Sequence, residues 1–204
     1  DWVSNAGSQN FLIKSRTITD ASNNVYVVGA TLNGSGNYDI LVAKYNAKGG
    51  QVWINQYNGA GNGQDVGAGI DVDAAGNVYI TGTVTTATSV DLIVIKYNSS
   101  GAQLWLETYN GTGNFYDAGA NVKIVTGIND GVYVTGSSYN ASGNTDFLTI
   151  KYSPSLGGLQ WANVYDHSTN MNDAAVKVVI RPTQVVVTGA VQTGTSTYRC
   201  AVVR

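Results

Sequence analysis

Apolar residues in this chain fall in short runs separated by clusters of Gly, Asn, Asp and Ser, and no window sustains a 3.6-residue period without a glycine interrupting it. The stretch 68–119 shows the rhythm, with strand-like runs at 68–73, 77–83, 92–97 and 103–109. Asp73-Ala-Ala-Gly-Asn77, Asn98-Ser-Ser-Gly101 and Asn110-Gly-Thr-Gly113 supply residues that tolerate positive φ, which predicts tight turns and antiparallel neighbours. Ile40-Leu-Val-Ala43 and Leu92-Ile-Val-Ile95 are apolar without alternation, so these strands are expected to be buried on both faces.

The rhythm repeats. Asn24-Val-Tyr-Val-Val-Gly29 matches Asn77-Val-Tyr-Ile-Thr-Gly82, then Gly131-Val-Tyr-Val-Thr-Gly136 and Val185-Val-Val-Thr-Gly189. Asp39…Lys44-Tyr45-Asn46 matches Asp91…Lys96-Tyr97-Asn98 and Asp146…Lys151-Tyr152, while Trp53, Trp105 and Trp161 precede Tyr57, Tyr109 and Tyr165 by four residues. Equivalent positions lie about 52 to 56 residues apart, the size of a four-stranded propeller blade. The expectation is a single all-β domain, a four-bladed β-propeller of four-stranded antiparallel blades, with units 10–67, 68–119, 120–175, and 176–204 plus 1–9. A two-sheet sandwich is the structural alternative.

The fourth unit offers strands at 176–180, 184–189 and 198–204 and no outer strand. Trp2, Val3 and Ser4 stand where Trp53-Ile54-Asn55 and Trp105-Leu106-Glu107 stand in other units, so the N-terminal strand is expected to complete the last blade. Closure within one molecule gives a monomer; exchange between molecules gives a homo-oligomer or a filament.

The pattern D-x-x-G-N-V-Y-[IV]-T-G…D-x-x-x-x-K-Y-N…W…Y-N-G resembles the bacterial SBBP-type β-propeller repeat over essentially the whole chain. The resemblance implies a propeller in secreted or cell-surface proteins, usually with no assigned biochemical activity. The last unit departs from it, with Arg199 in place of Asp39, Asp91 and Asp146, and Cys200 in place of Phe147. The third unit has a longer turn at 153–158.

Composition narrows the functions. Charged residues are 12% of the chain and net charge is −2, so no basic field exists to hold nucleic acid or an anionic membrane. A single cysteine, Cys200, excludes an intrachain disulfide, and a single histidine, His167, excludes the common structural zinc sites. No run approaches the roughly 20 apolar residues that span a bilayer, and Asp1-Trp2-Val3 has none of the regions of a signal peptide. Low charge with abundant Asn, Gly, Thr and Tyr points to an extracellular or cell-surface location. The sequons at Asn33, Asn98, Asn110 and Asn140 read as turns, and as glycosylation sites only where that machinery exists.

Few residues suggest chemistry. Asp65, Asp117 and Asp173 recur before the inner strands; gathered at a channel mouth they could bind calcium or another cation, and otherwise they cap turns. Trp53, Trp105 and Trp161 could contact glycans, although large aromatics recurring in strands more often pack between blades. Asp71 and Asp73 form no complete calcium loop, and Gly59, Gly61 and Gly63 do not open a helix as a phosphate cradle would. The Asp and Lys of the repeat are five apart on a strand and face opposite ways, so their partners should lie on other strands or blades. His167 reads as a solvated loop residue, and Cys200, aligned with Ile40 and Leu92, as a buried apolar one. The expected function is a non-catalytic extracellular structural or interaction module assembling through its N-terminal strand, with no cofactor beyond the candidate cation. The alternative is a carbohydrate-binding, lectin-like propeller.

Overall fold

The computed structural model describes residues 15–168 and 171–204. Fifteen strands form four sheets, each made from strands consecutive in the chain, and there is no helix among the described residues. The first sheet holds β1 (Arg16–Thr19), β2 (Val25–Leu32), β3 (Tyr38–Tyr45) and β4 (Gln51–Tyr57). The second holds β5 (Val66–Val72), β6 (Val78–Thr85), β7 (Val90–Tyr97) and β8 (Gln103–Tyr109). β9 (Asp117–Val125), β10 (Gly131–Tyr139), β11 (Thr145–Tyr152) and β12 (Leu159–Tyr165) make the third. The fourth has three described strands, β13 (Asp173–Arg181), β14 (Gln184–Gly194) and β15 (Thr197–Val203). All pairings between named strands are antiparallel among the described residues, a single isolated bridge, Val90 to Tyr116, being parallel, and Trp2, Val3 and Ser4 lie outside the described residues.

The turns form as the residue types require. Asp73 Oδ1 accepts from the N–H groups of Ala75 and Asn77 at 3.0 and 2.9 Å, and Asp20 does the same for Ser22 and Asn24. Asn46 and Asn98 close the turns after β3 and β7 in the same way. Such side-chain turns imitate a backbone turn and fix hairpin register.

The inner strands begin two or three residues before the sequence pattern suggests, at 66, 117 and 173 instead of 68, 120 and 176. The cause is a β-bulge: pairing skips Ala68, Ala120 and Val176, so one extra residue flips the side-chain alternation and hides the strand's start. The unit boundaries expected from sequence therefore cut through β5, β9 and β13. Beside the bulges lie Gly82, Gly136 and Gly189, where an added Cβ would sit 2.0, 1.8 and 2.1 Å from a carbonyl oxygen of the inner strand. The glycine that ends the V-Y-V-T-G-type motif in the second, third and fourth units is thus required by backbone approach.

Consecutive sheets pack face to face, the inner strand of each lying over three strands of the one before: β5 over β1, β2 and β3, β9 over β5, β6 and β7, and β13 over β9, β10 and β11. The first interface joins Tyr26, Val28, Ile40 and Val42 to Ile70, Val78, Ile80, Ile93 and Ile95. Leu92 and Val94, on the opposite face of β7, enter the second interface with Val132, Val134, Leu148 and Ile150. This is why β7 reads as a continuous apolar run: its two faces serve two interfaces. Each buried Ile, Leu or Val contributes about 1.5 to 3 kcal/mol over leaving it exposed.

The third interface, built from Tyr133, Phe147, Ala175, Val178, Val187 and Val191, brings in the fourth sheet. No described strand lies over that sheet's other face. Cys200, expected to be buried, is therefore exposed: Ile40, Leu92 and Phe147 are covered by the sheet that follows theirs, and Cys200 is not.

Candidate functional site

Two sets of repeated polar residues operate at the junctions between sheets. Asp65, entering the second sheet, accepts from Gly59 N–H at 2.5 Å and from Thr85 N–H at 2.6 Å, tying the incoming loop to β6. Asp117 accepts from Gly111 N–H at 2.8 Å, and Asp173 from His167 and Gln192 N–H at 2.8 and 3.0 Å. Asp65 and Asp173 each tie the incoming loop to a strand of the same sheet, whereas Asp117 holds its loop through Oδ2 and its buried Oδ1 has no hydrogen-bond partner among the described residues. Burial raises the pKa of Asp65 and Asp117 above the usual aspartate range, against the lowering effect of their N–H donors, and Asp39 and Asp91 respectively add like-charge repulsion.

The second set is a lock made by Trp and Lys. Trp53 Nε1 and Lys44 Nζ both donate to Ser99 O, at 3.2 and 3.4 Å, in the turn between β7 and β8, and Asn55 Nδ2 donates to Gly101 O at 2.7 Å. One sheet later, Trp105 Nε1 and Lys96 Nζ donate to Pro154 O at 3.3 and 2.7 Å. Lys44, Lys96 and Lys151 also lie 5.1, 5.2 and 5.3 Å from the ring centroids of Tyr26, Tyr79 and Tyr133. Each lysine of the repeat therefore reaches a tyrosine on its own sheet, and two of them reach the turn of the next.

This lock decides what the tryptophans can offer. Trp53 and Trp105 are 9% and 8% exposed, with Gly101 and Gly157 of the covering turns against their indoles. Trp161, packed on Tyr133, is half-buried, and its indole N–H has no partner among the described residues. Beside it on β12 and the following loop are Tyr165, His167 and Asp166, all exposed; the Tyr165 hydroxyl and His167 Nδ1 are 3.4 Å apart.

Asp173 belongs to a group that Asp65 and Asp117 do not join. Asp146, Asp166 and Asp173 each place a carboxylate oxygen within 4.8 Å of the others. Burial raises the pKa of Asp146, and the charges of Asp166 and Asp173 push it the same way. Hard oxygen donors of this kind suit calcium, yet each already accepts N–H bonds: Asp146 from Asn140 and Asn144, Asp166 from Ser168, and Asp173 as above. The sequence signal for this group was Asp166, which replaces Asn58 and Asn110 of the earlier units.

A cavity of about 400 Å³ between the β1–β2 and β5–β6 turns is lined by Asp20, Asp71, Asp73 and Lys123. Its acids are engaged: Asp71 pairs with Lys123 Nζ at 2.9 Å and accepts from Ile124 N–H, while Asp20 and Asp73 hold their turns and accept from the hydroxyls of Tyr26 and Tyr79. The sequon residues Asn33, Asn98 and Asn140 likewise accept turn N–H groups. Asn110 donates to Asn114 Oδ1 at 2.6 Å.

One exposed surface among the described residues is apolar. On the uncovered side of the fourth sheet Val179, Tyr198 and Val202 are 42%, 58% and 59% exposed, with Cys200 among them. The positions equivalent to Val202 are Val42, Val94 and Thr149, all buried. Sequence hinted at this surface only through the departures at Arg199 and Cys200.

Compared with known proteins, the chain matches no protein-family model and no curated protein sequence.

Proposed function

We propose that this chain is a non-catalytic interaction module of β-propeller-type blades, working at an extracellular or cell surface, and that its binding surface is the uncovered face of the fourth sheet. The observation that carries this reading is the exposure of Cys200 and Val202 at positions whose equivalents, Ile40, Leu92 and Phe147 for the one and Val42, Val94 and Thr149 for the other, are buried beneath a following sheet, with Val179 and Tyr198 exposed beside them. A contiguous exposed apolar patch rimmed by charge is characteristic of a protein-binding surface. Support also comes from the repeated polar groups: the Asp clamps and the Lys–Trp locks are engaged in holding blades together. The blade-sized period and the resemblance to the SBBP-type repeat support the propeller reading.

The test has two arms. The purified chain is assayed against chromogenic esterase, glycosidase and peptidase substrates and on a glycan array, where neither turnover nor saturable sugar binding is expected. Turnover overturns the reading. Saturable binding to one sugar class that survives V179K and V202D moves the function to the carbohydrate-binding alternative, whose best site is half-buried Trp161 with Tyr165, Asp166 and His167.

A further inference from the structure

We infer that the junction of the third and fourth sheets holds a calcium site, built from the carboxylates of Asp146, Asp166 and Asp173 and the amide oxygen of Asn144. The site is independent of the open face of the fourth sheet. Asp146 lies at the start of β11, Asp166 follows β12 and Asp173 begins β13, so three segments meet there. Each places a carboxylate oxygen within 4.8 Å of the others. Oxygens bound to one calcium at about 2.3 to 2.6 Å can be up to about 5 Å apart, whereas magnesium, at about 2.0 to 2.1 Å, would have to draw them within about 4.2 Å.

Asn144 supplies an observation of a different kind. It is 4% exposed, and its Oδ1 is buried with no hydrogen-bond partner among the described residues. Its Nδ2 donates to Met171 O at 2.6 Å, which fixes which corner of the amide is the oxygen, and reaches Asp146 Oδ1 at 3.3 Å. The two corners of an amide are about 2.3 Å apart, so Asn144 Oδ1 is no more than about 5.6 Å from that carboxylate oxygen. A buried oxygen without a donor costs stability. The partner that satisfies it and three carboxylates together is a cation.

The carboxylates have room for it. An ionised carboxylate offers about four acceptor sites, of which Asp146 and Asp173 each use two on N–H groups, while Asp166 accepts from Ser168. Those bonds hold the oxygens in place and leave lone pairs for an ion. Asp146 and Asp173 are buried and Asp166 is exposed, which gives the group a solvent side from which an ion enters. Burial and the charges of Asp166 and Asp173 raise the pKa of Asp146, a cost that a bound cation offsets. The earlier junctions lack the set. Asn58 and Asn110 stand in place of Asp166 and donate to Asn62 and Asn114, while Asn37 and Ser89, in place of Asn144, donate to Asn62 O and Asp91.

Calcium itself is the probe. The chain is stripped with EDTA, dialysed and titrated with calcium chloride in a calorimeter, and its melting temperature is followed in parallel. Weak, solvent-open calcium sites bind at about 0.1 to 1 mM. About 10 mM calcium should then raise the melting temperature by roughly 3 to 10 °C over sodium chloride at matched ionic strength. D166N, whose melting curve in EDTA confirms its fold, should lose most of that shift, and D130N, which removes an exposed acid at the β9–β10 turn, should keep it. A shift that D166N keeps, or that D130N loses, overturns the assignment, because a carboxylate that only held the Ser168 N–H would leave the calcium response unchanged. No heat and no shift in the wild type overturns the site itself. An equal shift from magnesium chloride overturns the choice of calcium.

Discussion

Truncating Trp105 and Trp161 to alanine separates two explanations of why tryptophan recurs in this repeat. The two residues occupy the same position on β8 and β12 and each packs on a tyrosine, Tyr79 or Tyr133, at a centroid distance of 6.1 Å. They differ in what lies above. Trp105 is 8% exposed under the 153–158 turn and donates to Pro154 O, whereas Trp161 is half-buried with no such bond. A buried tryptophan removes about 150 to 250 Å² from water, and at ~25 cal/mol/Å² this corresponds to about 4 to 6 kcal/mol. Measured Trp→Ala costs in cores run about 3 to 5 kcal/mol, so we expect about 4 kcal/mol for W105A. For W161A, less fully covered and with no hydrogen bond to lose, about 3 kcal/mol follows from the same coefficients. Urea unfolding followed by far-ultraviolet circular dichroism measures both, provided the m-value is unchanged from wild type. Equal costs would refute the argument that the turn of the next repeat, more than the strand position itself, gives tryptophan its value here.

Other outcomes follow from the same geometry. Gly101 has φ of +89° and a Cβ there would meet the Trp53 indole at 2.9 Å, while Gly36, at +83°, has open space around it; G101A should cost about 1 kcal/mol more than G36A, each carrying about 1 kcal/mol of left-handed strain, and equal urea midpoints would refute the clash. Asp65, Asp117 and Asp146 have raised pKa values, so their stabilising contribution is complete below the ordinary value of 3.8 and lost as pH rises through the folded values. For Asp20, burial works against the charge but hydrogen bonds from Asn24, Tyr26 and Ser22 lower its pKa overall, so its contribution is present above 3.8 and lost as pH falls. The contribution of these groups to the melting temperature should thus be greatest near the ordinary aspartate value of 3.8 and fall as pH rises above it; a steady rise from pH 4 to 7 in a calorimeter would contradict this. Restoring the amide of the earlier units with D166N removes a charge that repels Asp146 and, in the absence of calcium, should raise the melting temperature at pH 7 by about 1 to 3 °C. A loss at pH 7 would mean that the Asp166 carboxylate stabilises its loop, through the Ser168 N–H, by more than its repulsion of Asp146 costs.

How much was legible depends on how local the determinant is. Strand order, turn positions and the doubly buried β3 and β7 came from runs of apolar residues and from Asp73- or Asn98-type turns, which act within a few residues of themselves. The bulges were invisible because Ala68, Ala120 and Val176 are ordinary strand residues, and only the close approach of Gly82, Gly136 and Gly189 reveals the extra residue. The Asp65, Asp117 and Asp173 series was found as a series, but the partners that define its role, Gly59, Thr85 and Gln192 among them, lie up to 20 residues away.

Sequence by itself determined that this protein is all-β, that its unit is about fifty residues, and that the same aromatic, lysine and aspartate positions recur, because hydrogen-bonded turns and side-chain alternation are short-range consequences of residue type. Tertiary structure decided which copies of a repeated residue are equivalent in fact. Trp53 and Trp105 are buried and Trp161 only partly so; Leu92 is core and Cys200 is surface. The physical reason is that burial belongs to the following sheet and not to the residue, so identical positions acquire different roles wherever that neighbour is missing.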